Sequence, residues 1–142
     1  MSYRILFLCT GNSCRSQMAE GFANRHPELE AVSAGLDPHG INPDAALVMK
    51  EIGIDIANHT SDHLDLYNDH PLDVVITLCG HADETCPTFQ GGIKTIHIPF
   101  DDPPKLAADA KNEEERLAPY RRVRDEISKC IAELPERLAQ ET

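Results

Sequence analysis

At 142 residues the chain has the length of one domain rather than two. A domain of this size buries roughly 70% of its unfolded surface, so it needs no disulfide staples for stability. With 24 acidic residues against 13 Lys and Arg the net charge is −11, which excludes the basic face that nucleic acid requires and disfavours anionic membranes.

The opening "MSYRILFLCTGN" has too short an apolar run for an export signal. No apolar stretch approaches the roughly 20 residues of a membrane span. Five cysteines, an odd number, without an export signal predict reduced thiols and a cytoplasmic protein.

In chain order, "YRILFLC" (3–9) is a continuous apolar run bounded by a glycine turn, which predicts a buried strand. "SQMAEGFANRH" (16–26) predicts a helix ending before Pro27, and "EAVSAG" (30–35) a second short strand. In "NPDAALVMKEIG" (42–53) Asn42 is placed as cap, Pro43 at the first helical position and Gly53 as stop. "TSDHLDLY" (60–67) predicts a short capped helix, and "LDVVITLC" (72–79) and "KTIHIPF" (94–100) the remaining strands. The tail 112–140 spaces Val123, Ile127, Cys130, Ile131 and Leu134 as one helical stripe, with Pro119 and Pro135 expected to limit it. Strands alternating with helices predict an α/β fold, a four-stranded parallel sheet flanked by helices in a single domain over 1–142. Its ligand site is expected beyond the carboxyl ends of the strands.

The loop "CTGNSCRS" (9–16) follows the first strand and opens a helix. Its small residues let successive N–H groups point into one concavity, and the helix turns its positive end to the same place. Arg15 can fork two donors onto a tetrahedral oxyanion. Thr10, Gly11, Asn12, Ser13 and Cys14 thus form a candidate anion loop closed by Cys9 and Arg15, with the Cys9 thiol activated as a nucleophile. Ser16 is expected to donate to that thiolate. A packing turn with two buried cysteines is the plainer alternative, but it would not require the Arg-Ser ending. The Lys-Ser/Thr ending of an ATP-type loop is absent.

"LCTGNSCRSQMAEG", "SAG", "HGINP", "GIDI", "TSD", "TLCG", "CP" and "FDDP" occur in this order from about Ile5 to Ile127. Together they resemble the low-molecular-weight protein tyrosine phosphatase fold and, within it, the arsenate reductases coupled to thioredoxin. The resemblance implies arsenate as substrate, Cys79 and Cys86 as redox cysteines and thioredoxin, or another thiol system, as reductant. In that scheme Cys79 attacks Cys9 to release arsenite, and Cys86 then attacks Cys79. A Cys79–Cys86 bond requires 80–85 to be a loop, since a helix would hold the Cα atoms about 10 Å apart against the 4.4–6.8 Å of a disulfide. The family pattern puts a general acid just before proline, which selects Asp102 over Asp101 in "IPFDDPP", with a capping or turn aspartate as the plain alternative.

Pro104 stands where the tyrosine phosphatases resembled carry an aromatic, and the chain has no Trp. Asn12, Glu20, Ser33 and Asp62 match positions that bind potassium in some of these reductases, and all are oxygen donors. Otherwise no tightly bound cofactor is expected, and the chain is expected to be a monomer. Cys14 and Cys130 are read as packing cysteines, and His59 as either a tuner of Cys79 or polar surface. The alternative function is a low-molecular-weight protein tyrosine phosphatase. A sugar-transport phosphoryl carrier leaves Asp102, Cys79 and Cys86 without a role, and a DNA-binding arsenite sensor conflicts with the acidic charge.

Overall fold

The computed structural model describes residues 3–67, 69–78 and 93–141. Among them, β1 (Tyr3–Cys9), α1 (Arg15–Ala23), β2 (Leu29–Gly35) and α2 (Pro43–Glu51) come first. A 3-10 turn (Leu64–Tyr67), β3 (Val74–Thr77), β4 (Lys94–His97), α3 (Pro103–Leu106) and α4 (Glu113–Glu141) follow. The strands form one four-stranded sheet, order β2-β1-β3-β4, with every pairing parallel, as the alternation of strands and helices predicts.

Register decides what meets at the sheet's carboxyl edge. Cys9 pairs with Gly35, Leu8 with Thr77, and Thr77 with His97. Ladder bonds continue past the strands, from Leu78 N–H to Leu8 O and from Phe100 N–H to Leu78 O. The loop after Cys9 and the segment carrying Asp102 therefore leave the sheet side by side. β1 reads as an unbroken apolar run because both faces are covered. Ile5 and Phe7 face a core with Met18, Val48, Met49, Ile76 and the stripe of α4. Leu6 and Leu8 face a smaller one with Ala34, Leu64, Leu72 and Val75.

α2 starts and stops as its sequence predicts: the Asn42 side chain accepts from Asp44 and Ala45 N–H, and Gly53 follows at a left-handed φ of 82°. Two expectations change. Of 60–67 only Leu64–Tyr67 winds into a turn, because Thr60 is held by Gln17 of α1 and Ser61 and Asp62 by the loop after Cys9. α4 runs unbroken through Pro119 and Pro135. Its Leu117, Tyr120, Val123, Ile127, Ile131, Leu134 and Leu138 are all buried, worth roughly 10–20 kcal/mol together. Each interior proline opposes this by about 3 kcal/mol, so packing overrides propensity. Cys130 is half-buried at the edge of that stripe, and burial pushes its thiol pKa up. Among the described residues no helix is long and apolar enough to cross a membrane.

Candidate active site

The loop after Cys9 is shaped by where its carbonyls go. Thr10 O accepts from Asp37 N–H, Gly11 O from His39 N–H and Ser13 O from Asn42 N–H, each at 2.9 Å. Asn12 O accepts from Ser61 Oγ at 2.9 Å and Gln17 Nε2 at 3.1 Å. None of these peptides is cis. In a trans peptide the C=O and the following N–H point in opposite directions. Four outward carbonyls thus turn the N–H groups of Gly11, Asn12, Ser13 and Cys14 inward, the concavity an anion requires. Asn12 makes the bend at φ 45°, a conformation Asn tolerates better than most residues. Gly35 is dictated by contact, since a Cβ there would stand 2.7 Å from Thr10 O and 2.9 Å from Asn12 N.

Cys9, Thr10, Gly11, Ser13, Cys14 and Arg15 line a cavity of about 650 Å³ together with His39, Asp102, Pro104 and Lys105. Arg15 is anchored by Nη1, which donates to Phe100 O at 2.8 Å. Its Nη2 lies 3.7 Å from Asp102 Oδ1, and its buried Nε has no hydrogen-bond partner among the described residues. An unpartnered buried donor is costly, and a tetrahedral oxyanion held in the cradle would offer it an acceptor.

Asp102 begins α3 but makes no side-chain capping bond, so its carboxylate is left to the cavity. Asp101 turns away and accepts from Arg122 Nη2 at 2.9 Å. The two neighbours therefore do not share one site, and Asp102 alone reaches the cradle.

Ser16 differs from expectation. Its hydroxyl donates to Asn12 Oδ1 at 2.8 Å, so its single hydrogen braces the loop instead of facing the Cys9 thiolate. Cys14 is buried, and burial pushes its pKa up to about 12, which keeps it a thiol at neutral pH.

Behind the loop lies a brace that local sequence does not reveal. Gln17 Nε2 donates to Asn12 Oδ1 at 3.1 Å and Thr60 O at 2.9 Å. His59 Nδ1 stands 3.0 Å from both Gln17 Oε1 and Glu20 Oε2. His59 is thus part of this brace rather than a surface residue. Gln17 reads as an ordinary helix former, and its one signal is that it follows Arg-Ser at the start of α1.

The four potassium candidates come together here. Ser33 Oγ donates to Glu20 Oε1 at 2.9 Å, and Asn12 Nδ2 donates to Ser33 O at 3.3 Å and Asp62 O at 3.4 Å. Burial pushes the Glu20 carboxyl pKa up, while Ser33 and His59 pull it down. Among the described residues no three His, Cys, Asp or Glu side chains group as metal ligands. The carboxylate, hydroxyl and carbonyl oxygens at this place suit a hard monovalent cation in kind. Cys79 and Cys86 lie outside the described residues.

Over residues 4–142 the sequence matches the family described as low molecular weight phosphotyrosine protein phosphatase. It is 50% identical over 129 residues to the arsenate reductase of Halalkalibacterium halodurans, spanning 89% of this chain and 91% of that one. It is 48% identical over 134 residues to the arsenate reductase of Bacillus subtilis, spanning 93% and 94%. A solved arsenate reductase in its oxidized state superposes with TM-score 0.76 at 31% identity, covering 95% of this chain and 98% of that one. The low molecular weight protein tyrosine phosphatase of T. tengcongensis superposes equally well, TM-score 0.76 at 29% identity, over 96% and 99%.

Proposed function

The chain belongs to the low molecular weight phosphotyrosine protein phosphatase family, and from that premise we propose that it reduces arsenate to arsenite. The observation that carries this reading is the pair of arsenate reductases about half identical to it over some nine-tenths of both chains. The cradle supports it, since an arsenate would accept from the N–H groups of Gly11 to Cys14 and from Arg15 while Cys9 attacks arsenic. Asp102 would give a proton to the departing hydroxide, which leaves as water.

In the proposed relay the Cys79 thiolate then attacks the Cys9 sulfur. The sulfur–arsenic electron pair stays with arsenic, arsenite leaves, and a Cys9–Cys79 disulfide remains. Cys86 next attacks Cys79, which frees Cys9 and forms a Cys79–Cys86 bond that a dithiol such as thioredoxin reduces. Asn12, Glu20, Ser33 and Asp62 would hold a potassium ion, whose charge would stiffen the loop from behind. A melting temperature raised by potassium chloride but not by choline chloride, and no longer raised in Asn12→Ala, is the expected sign. The reading assigns the chain to the reducing cytoplasm and to work as a monomer.

Arsenate-dependent NADPH consumption with thioredoxin and its reductase tests the function. Cys86→Ser is expected to stop after one turnover with a Cys9–Cys79 disulfide, found by peptide mapping. Steady turnover of Cys86→Ser would refute the relay. The family description favours a second reading, phosphatase action, in which water replaces Cys79. That reading expects Cys79→Ser to keep its full physiological activity. The Pro104 lining the cavity in place of an aromatic weighs against aryl phosphates.

A further inference from the structure

We propose that Lys105 is the recruiting charge of this site, the residue that draws a doubly negative oxyanion to the mouth of the cradle. The inference rests on reading the cradle as an oxyanion site, and deepens it.

An arsenate or phosphate dianion meets a chain whose net charge is −11. Salt screens charges beyond about 8–10 Å, so the residues around the mouth decide whether the ion is drawn in. Two cations line the cavity, Arg15 and Lys105, against the Asp102 carboxylate and the Cys9 sulfur. Arg15 Nη2 already stands 3.7 Å from Asp102 Oδ1, so Lys105 is the cation that adds positive charge at the mouth beyond that pair.

Nearby charges do not substitute for it. The His39 ring at the mouth is 3.2 Å from the Asp37 carboxylate. Four arginines of α4 are matched to carboxylates: Arg116 to Asp44, Arg121 and Arg124 to Glu51, and Arg122 to Asp101. Lys105, by contrast, makes no ion pair among the described residues.

The fold holds Lys105 at this place. It stands three residues after Asp102, on a turn closed by Leu106 N–H to Asp102 O at 3.1 Å and Ala107 N–H to Pro103 O at 2.9 Å. Pro103 is buried and anchors the turn. Residues three apart on a helical turn share a face, which sets Lys105 beside the proposed proton donor. Pro104 and Lys105 together give the mouth a small, cationic rim, suited to a compact multiply charged ion and poorly suited to an aryl ester.

Titration calorimetry with inorganic phosphate tests this without relying on turnover. A unit charge roughly 8 Å from a dianion changes its binding about three- to fivefold at low ionic strength, and less than about twofold in 0.5 M salt. Lys105→Gln is therefore expected to weaken phosphate three- to fivefold near 20 mM salt, with the difference closing at high salt. Lys105→Glu should weaken it further. Lys50→Gln, at the far end of α2, makes the same change in net charge and should bind as the wild type does. In arsenate reduction, Lys105→Gln should raise KM and leave kcat unchanged. Equal weakening by Lys50→Gln, or wild-type affinity in Lys105→Gln at low salt, overturns the inference alone. Failure of the wild type to bind phosphate overturns the oxyanion reading and this inference with it.

Discussion

Gly35→Ala tests whether the cradle is held in place by backbone contact across the sheet edge. Glycine to alanine commonly stabilises a protein by about 0.4–1 kcal/mol through the unfolded chain. Here the new Cβ would lie 2.7 Å from Thr10 O and 2.9 Å from Asn12 N, both backbone atoms. Restoring a 3.4 Å contact requires Thr10 O to retreat by about 0.7 Å. That oxygen belongs to the same rigid peptide as the Gly11 N–H, so the first donor of the cradle moves with it. Overpacking of this kind costs about 1–3 kcal/mol, a fall in melting temperature of roughly 3–10 °C at this size. Displacement of a binding group by nearly 1 Å costs up to about 100-fold in rate. Gly35→Ala should therefore fold, melt somewhat lower and lose 10- to 100-fold in kcat/KM for arsenate. Gly11→Ala is the internal comparison, since its Cβ would meet the His39 ring at 2.9 Å, an exposed side chain that can swing aside. Its loss should be several-fold at most. If Gly35→Ala kept wild-type phosphate affinity and turnover, the account of the loop as shaped from behind by β2 would be wrong.

Cys9→Ser should abolish arsenate reduction and any phosphatase side activity together, measured by NADPH consumption and p-nitrophenyl phosphate hydrolysis; survival of either would remove Cys9 as nucleophile. Asp102→Asn should slow the attack by Cys9 about 10²–10⁴-fold in single-turnover quench experiments, while reduction of a preformed Cys79–Cys86 disulfide by thioredoxin proceeds at the normal rate. Glu51 is held below the usual carboxylate range, chiefly by its hydrogen bond to Arg121, with Arg124 also contributing. A depressed folded pKa stabilises the protein above the unfolded value of about 4.3 and stops doing so as pH falls through the folded one. Glu51→Gln should thus melt below the wild type at pH 7, with the two curves converging below pH 4; an offset unchanged from pH 7 to pH 3 would contradict the ion pair.

What could be read along the chain was whatever local physics decides. Continuous apolar runs announced β1 and β3, Asn42, Pro43 and Gly53 marked the ends of α2, and small residues before Arg15 announced the tight loop between β1 and α1. Each signal lies within one element, where periodicity, caps and left-handed positions leave their mark in a few adjacent residues. The parallel sheet followed because alternating strands and helices have few ways to cross over.

Tertiary structure decided matters of distance. Asp101 and Asp102 are neighbours with the same side chain, and what separates them is Arg122, which takes Asp101 from 21 residues further on. Ser16 was expected to donate to Cys9, yet its hydroxyl donates to Asn12 Oδ1. The contacts of Gln17, His59 and Ser61 behind the loop leave no local signal, because they form only after α1 and the segment around 60 have packed behind it. Pro119 and Pro135 argued locally against one long helix, and the buried stripe of α4 overruled them. Hydrogen bonds and ion pairs act over about 3 Å of space regardless of the chain between their partners, so only the folded sheet, by aligning Cys9, Gly35 and Thr77 at one edge, brings four separate segments into one cradle.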